Sequence, residues 1–131
     1  HYLPSKFDGE QIQYGLHPEF VDNLSPVLRL AVDRGIEHVG LTKEQINRWV
    51  VHPGGITVVQ CLKNTMGLPD GDLDVEIGLD TIRSQGNTMS SLFLYNLKNY
   101  FNRGAFKEGD LAMLVGIAPG VEIGTLAARY Q

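Results

Sequence analysis

The chain has 131 residues, 43% of them hydrophobic, and a formal charge of −4. That is enough for one domain with a real core and too little for two independent domains. The acidic balance argues against nucleic acid, no Lys/Arg run suggests a polybasic membrane patch, and no apolar stretch approaches bilayer length. No stretch reads as a signal peptide. The single cysteine excludes an internal disulfide and fits a reducing cytoplasm. A start at His1 rather than Met predicts a longer polypeptide, processed or continued beyond these residues.

In chain order, residues 1–10 read as a surface approach. Ile12, Tyr14 and Leu16 alternate with Gln11, Gln13 and Gly15, the period of a half-buried strand, which His17-Pro18 ends. Phe20 to Arg34 carries apolar residues at helical spacing. Ser25-Pro26 either caps a helix or kinks a longer one, and Gly35 is the predicted stop. Thr42 to Gln45 has the spacing of a capping box and predicts a short helix. Trp49-Val50-Val51 is a short apolar strand ending in His52. Pro53 stops it, and Gly54-Gly55 turn the chain into a helix over Ile56 to Met66.

Gly67 to Gly71 reads as a loop, and Val75 to Arg83 as a weakly patterned helix. Met89 to Phe101 is a strong one, with Leu92, Phe93, Leu97, Tyr100 and Phe101 on one broad face. Asn87, Thr88 or Ser90 can cap it. Leu111 to Gly116 is a continuous apolar run suited to a central strand. Gly116 to Gly120 is a tight loop, and Val121 to Tyr130 reads as a closing strand or a helix. The order is strand, helix, strand, helix, helix, then two strands, which predicts an α/β fold.

The chemistry centres on His52. The carboxyl end of a buried strand is where open α/β sheets place their ligand sites. Glycine at 54 and 55 lets a substrate or a second backbone come close. Taken singly, each candidate has a structural reading: His52 as a hydrogen-bonded strand end, Asn87 as a helix cap, Gly116 to Gly120 as a turn. Taken together, they sit at junctions that one α/β layer brings to a single sheet edge. A neutral imidazole N–H and an amide N–H aimed at one point make a two-donor oxyanion hole. Such a pair suits decarboxylation of a malonyl thioester or a Claisen condensation. Cys61, inside the helix pattern, reads as a buried, inert thiol. His1, His17 and His38 have no metal-ligand spacing, so no metal is predicted.

Three motifs carry a resemblance to a known family. They are Trp49-Val50-Val51-His52-Pro53-Gly54-Gly55, Gly86-Asn87-Thr88-Met89-Ser90-Ser91, and Gly109-Asp110-Leu111 through Gly116-Ile117-Ala118-Pro119-Gly120. In this order and at these spacings they resemble the carboxy-terminal half of the ketosynthase III group within the thiolase fold. The likeness runs from about Phe7 to the end and includes type III polyketide synthases (chalcone synthase-like) and β-ketoacyl carrier-protein synthase III. It implies a mixed sheet flanked by helices, in a single carboxy-terminal domain over 1–131 that lacks its first strand and the amino-terminal half.

The resemblance makes His52 and Asn87 two of the family's three catalytic residues. It places Gly54 and Gly55, with Gly116, Ile117, Ala118, Pro119 and Gly120, along the substrate cavity. The third catalytic residue is a cysteine nucleophile on the amino-terminal half, and Cys61 does not match its position. Completion therefore needs that half or a partner subunit, and the chain alone is expected to be inactive. The family further implies a cytoplasmic dimer acting on coenzyme A or acyl carrier protein thioesters, with no cofactor besides these substrates. Gly-Ile-Ala-Pro-Gly stands where chalcone synthase-like enzymes have Gly-Phe-Gly-Pro-Gly, and Gly124 where they often have glutamate, so the branch stays open. The rival reading is a non-catalytic partner subunit that shapes the cavity of an active sister chain. Retention of both His52 and Asn87 speaks against it.

Overall fold

The computed structural model describes residues 5–7, 12–14, 18–88, 90–118 and 122–131. In order these form β1 (Ser5–Phe7), β2 (Ile12–Tyr14), α1 (Pro18–His38), a 3-10 turn (Lys43–Gln45) and β3 (Arg48–Val51). Then follow α2 (Ile56–Met66), α3 (Leu73–Gln85), α4 (Ser91–Asn102), β4 (Leu111–Ala118) and β5 (Glu122–Arg129). β1 and β2 form an antiparallel pair of their own, with Ser5 opposite Tyr14. The sequence predicts β2 but not β1, because three residues are too few to show a period.

The main sheet runs β3-β4-β5. β3 is parallel to β4, with Arg48 opposite Ala112 and Val51 opposite Val115. β4 and β5 form an antiparallel hairpin from Leu111–Arg129 to Ala118–Glu122. A parallel pair needs a long crossover, and α2, α3 and α4 supply it. Helices cover both faces. Trp49, Val51, Met113 and Val115 pack with α1 and α2, while Val50, Ala112 and Leu114 pack with α3 and α4. This alternation follows the two-residue period of a strand. Because both faces are buried, β3 and β4 read in the sequence as continuous apolar runs. The fold is α/β, a mixed sheet flanked by helices, as the sequence predicts.

α1 corrects the predicted stop at Gly35 and is the longer of the two helices that Ser25-Pro26 allowed. Leu24, Leu28, Val32 and Ile36 are all buried, one stripe at a spacing of four that runs straight past Gly35. Burying each such side chain contributes about 1.5–3 kcal/mol, which carries the helix on to His38. Gly35 is a contact point rather than a stop: a Cβ there would lie 2.3 Å from Thr125 Oγ1. Its bare Cα lets α1 lie against β5. The end comes at Gly40, in the left-handed region at φ 69°. Pro26 lies inside the helix, and Pro18 takes the first position, where a missing N–H is harmless.

The short helix expected after Thr42 is one 3-10 turn, in which the Thr42 N–H donates to Gln45 Oε1 at 2.7 Å. α3 is longer than its weak pattern suggests, and Asp72 Oδ1 caps it by accepting the Asp74 N–H at 2.9 Å. Met89 lies outside the described residues, and α4 starts at Ser91. The segment left open between strand and helix is the strand β5. Phe101 departs from the predicted buried face. It is 54% exposed and lies against Phe106 and Tyr130 instead.

Candidate active site

β3 fixes His52 through the backbone. The His52 N–H donates to Val115 O at 2.9 Å, carrying the ladder with β4 one residue past the strand. The Gly54 N–H then donates back to His52 O at 3.0 Å, closing a tight turn around buried Pro53. The imidazole is half-buried, and burial pushes it below the usual histidine range. It is therefore neutral at pH 7, with one ring N–H to donate and one nitrogen to accept.

Gly54 joins the two predicted donors. A Cβ at this position would lie 3.3 Å from both Cδ2 and Nε2 of His52. The imidazole thus packs closely against Gly54, where even a methyl would press on it. At the same residue, Asn87 Nδ2 donates to Gly54 O at 3.2 Å. Asn87 follows the end of α3, and Gly86, at φ 67°, supplies the turn that brings it back. The cap reading of Asn87 does not hold: Ser90 takes the N-cap position of α4, and Ser91 Oγ donates to Thr88 O at 2.7 Å. Gly55 holds the N-cap position of α2 in extended backbone.

His52 opens onto a cavity of about 450 Å³. β4 contributes Gly116, Ile117 and Ala118 to its lining, and β5 contributes Glu122, Ile123 and Gly124. Ser90 and Phe93 come from the start of α4. The sequence reading anticipates the β4 residues; Pro119 and Gly120 lie outside the described residues. It misses Glu122, Ile123 and Gly124, although the hairpin register opposes Ala118 to Glu122, Ile117 to Ile123 and Gly116 to Gly124. The signal was present in the strand–loop–strand pattern, but only with the pairing known. Ser90 belongs to the Gly86–Ser91 motif and Phe93 to the apolar helix face, but neither pattern marks a cavity wall. Glu122 puts a carboxylate on the wall of the cavity that also holds the imidazole.

Cys61 is 8% exposed in the core between α1, α2 and the sheet. Its Sγ lies 3.8 Å from Thr65 Oγ1. Among the described residues, no group of three or more His, Cys, Asp or Glu side chains is arranged to hold a metal ion. No described helix is long and apolar enough to cross a membrane.

Residues 36–130 match the family model described as 3-oxoacyl-[acyl-carrier-protein (ACP)] synthase III C terminal. The chain belongs to this family. Over 128 residues it is 31% identical to a 3,5-dihydroxyphenylacetyl-CoA synthase of Streptomyces toyocaensis, a match covering 96% of this chain and 30% of that protein. A beta-ketoacyl-[acyl-carrier-protein] synthase III of Halalkalibacterium halodurans is 30% identical over 95 residues, covering 72% of this chain and 29% of that protein. The fold matches 1,3,6,8-tetrahydroxynaphthalene synthase of Streptomyces coelicolor, a bacterial type III polyketide synthase, with a TM-score of 0.82 and 20% identity. That match covers 99% of this chain and 36% of the other. The thiolase fold and the ketosynthase III family are thus shown, and the chain spans about 30% of the length of the curated relatives it matches.

Proposed function

We propose that these residues form the carboxy-terminal half of a ketosynthase III or type III polyketide synthase-like enzyme that condenses malonyl thioesters with an acyl chain. The observation that carries this reading is the arrangement at Gly54. A neutral imidazole rests against its bare Cα, and the Asn87 amide is anchored on its carbonyl. His52 and Asn87 hold the thioester carbonyl oxygen of the malonyl group. As the bond between the carboxylate carbon and the α-carbon breaks, CO₂ leaves and its electron pair forms an enolate, whose negative oxygen the two donors stabilise. The enolate carbon then attacks an acyl thioester on a cysteine, the new C–C bond forms, and the thiolate departs.

That cysteine lies outside this chain, since Cys61 sits in the core away from the cavity. The front half of the same polypeptide or a partner subunit supplies it, and the chain alone is inactive. Gly116, Ile117 and Ala118 border the cavity in which the product is shaped. The acyl and malonyl groups arrive as coenzyme A or carrier-protein thioesters, and the working assembly is a cytoplasmic dimer.

The test is malonyl decarboxylation by the complete enzyme. The His52→Ala variant is expected to lose it. Near-normal decarboxylation by that variant would remove His52 from the mechanism. Masses under native and denaturing conditions test the completion. A longer or second chain with one readily alkylated cysteine is expected; this chain alone, without that thiol, contradicts the activity.

A further inference from the structure

β3 is the edge strand of its sheet. β4 lies on one side, and on the other the strand meets α3 and α4. A buried strand edge presents N–H and C=O groups that are costly to leave unpaired. Here side chains take the place of a neighbouring strand. Asp74 Oδ2 accepts the Trp49 N–H at 2.8 Å, and the Tyr100 hydroxyl donates to Trp49 O at 2.9 Å. Asn96 Nδ2 donates to Val51 O at 2.9 Å, on the residue immediately before His52.

All three side chains are buried: Asp74 is 5% exposed, Asn96 1% and Tyr100 0%. Asn96 is itself held, because the Thr81 hydroxyl lies 3.0 Å from its Oδ1 and Asn99 Nδ2 donates to that hydroxyl at 2.8 Å. The same hydroxyl lies 2.8 Å from Ile77 O, so its one proton is shared between two acceptors, while the amide N–H end stays fixed on Val51 O. Asp74, Asn96 and His52 also border a common internal cavity of about 10 Å³, so the clamped edge and the histidine are close neighbours. Apolar packing alone would bury the edge but would not fix its position along the strand. Directional bonds in a low-dielectric interior do.

We infer that Asn96, Asp74 and Tyr100 are positioning residues for His52. They clamp the free edge of β3 so that the strand end presents the imidazole at one fixed height against the thioester oxygen. This inference rests on the role proposed for His52.

The experiment compares wild type, Asn96→Leu and Tyr100→Phe in the complete enzyme. It reads kcat and KM for malonyl decarboxylation, together with the His52 imidazole titration by NMR. Loss of the Asn96 bond is expected to lower kcat by about 10- to 100-fold, with KM held within about twofold and the His52 titration displaced. Tyr100→Phe removes a single oxygen and is expected to lower kcat by about tenfold. If Asn96→Leu does not fold, Tyr100→Phe decides. A folded variant with kcat within about twofold of wild type and an unmoved His52 titration overturns the inference. If the wild type itself does not decarboxylate malonyl thioesters, the proposed function fails, and the His52 titration alone decides the positioning role: displaced sustains it, unmoved overturns it.

Discussion

Asp74→Asn should stabilise the protein near neutral pH. The Asp74 carboxyl is 5% exposed, and its Oδ1 has no hydrogen-bond partner. The Arg48 guanidinium is its nearest cation, with Nε 4.0 Å from Oδ1. The Tyr100 hydroxyl donates to Trp49 O, and its nearness to Asp74 is the smallest of the effects on that carboxyl. Burial therefore dominates and raises the Asp74 pKa from 3.8 to about 6, against the lowering effects of the Trp49 N–H bond and Arg48.

The folded chain thus holds a proton that the unfolded chain releases, and stability falls as pH rises from about 4 through about 6. Two units correspond to about 3 kcal/mol of cost for the ionised form above that window. Asparagine keeps an acceptor for the Trp49 N–H and carries no charge. Its new N–H₂ must find an acceptor where Oδ1 stood, which offsets about 1 kcal/mol. The expected gain is about 2 kcal/mol at pH 8, shrinking to nothing or below near pH 4. His52 has the opposite slope, since a lowered histidine pKa makes stability rise with pH through the usual histidine range. The assay is therefore the difference between the wild-type and variant urea-unfolding curves across pH 4 to 8, in which the His52 contribution cancels. A difference that is flat with pH, or a variant less stable than wild type at pH 8, would refute the reasoning.

Three further outcomes follow from single contacts. Gly54→Ala places a methyl 3.3 Å from the His52 ring and should displace it by a few tenths of an ångström. Stability should change by less than about 1 kcal/mol while decarboxylation falls at least about tenfold, read by unfolding and by rate. Gly35→Ala should cost about 1–3 kcal/mol despite the higher helix propensity of alanine, because its methyl meets Thr125 Oγ1; adding Thr125→Ala should restore part of the loss. Cys61 should resist alkylation until the protein unfolds, and Cys61→Ala should leave decarboxylation within about twofold of wild type.

Much of the fold is legible in the sequence because apolar periodicity reports burial. The α2 bounds, the run through Trp49 to Val51 and the long β4 run all follow from it. What periodicity does not report is hydrogen bonding to a distant backbone. Asn96 sits on the buried face of α4 between Leu92 and Tyr100, and a hydrophobic pattern passes over it. Asp74, likewise, looks like a first-turn acid of α3 until the Trp49 N–H is found against it. Gly35 reads as a helix stop because its use, the close approach of β5, lies ninety residues downstream.

The site divides in the same way. His52, Gly54 and Asn87 are legible as local motifs, and their meeting at Gly54 depends on the crossover of α2 and α3, which brings two distant loops together. Glu122 is not legible in the sequence, because a lone glutamate after a glycine loop carries no signal without the hairpin register.

In the proposed function, His52 and Asn87 act together on one oxygen. A double-mutant cycle tests it in the complete enzyme, with malonyl decarboxylation measured for His52→Ala, Asn87→Ala and the pair. Each single loss is expected to be about 10²- to 10³-fold, with the pair no more than about tenfold below the worse single variant. Fully multiplicative losses, or either single variant within about twofold of wild type, would contradict a shared oxyanion hole.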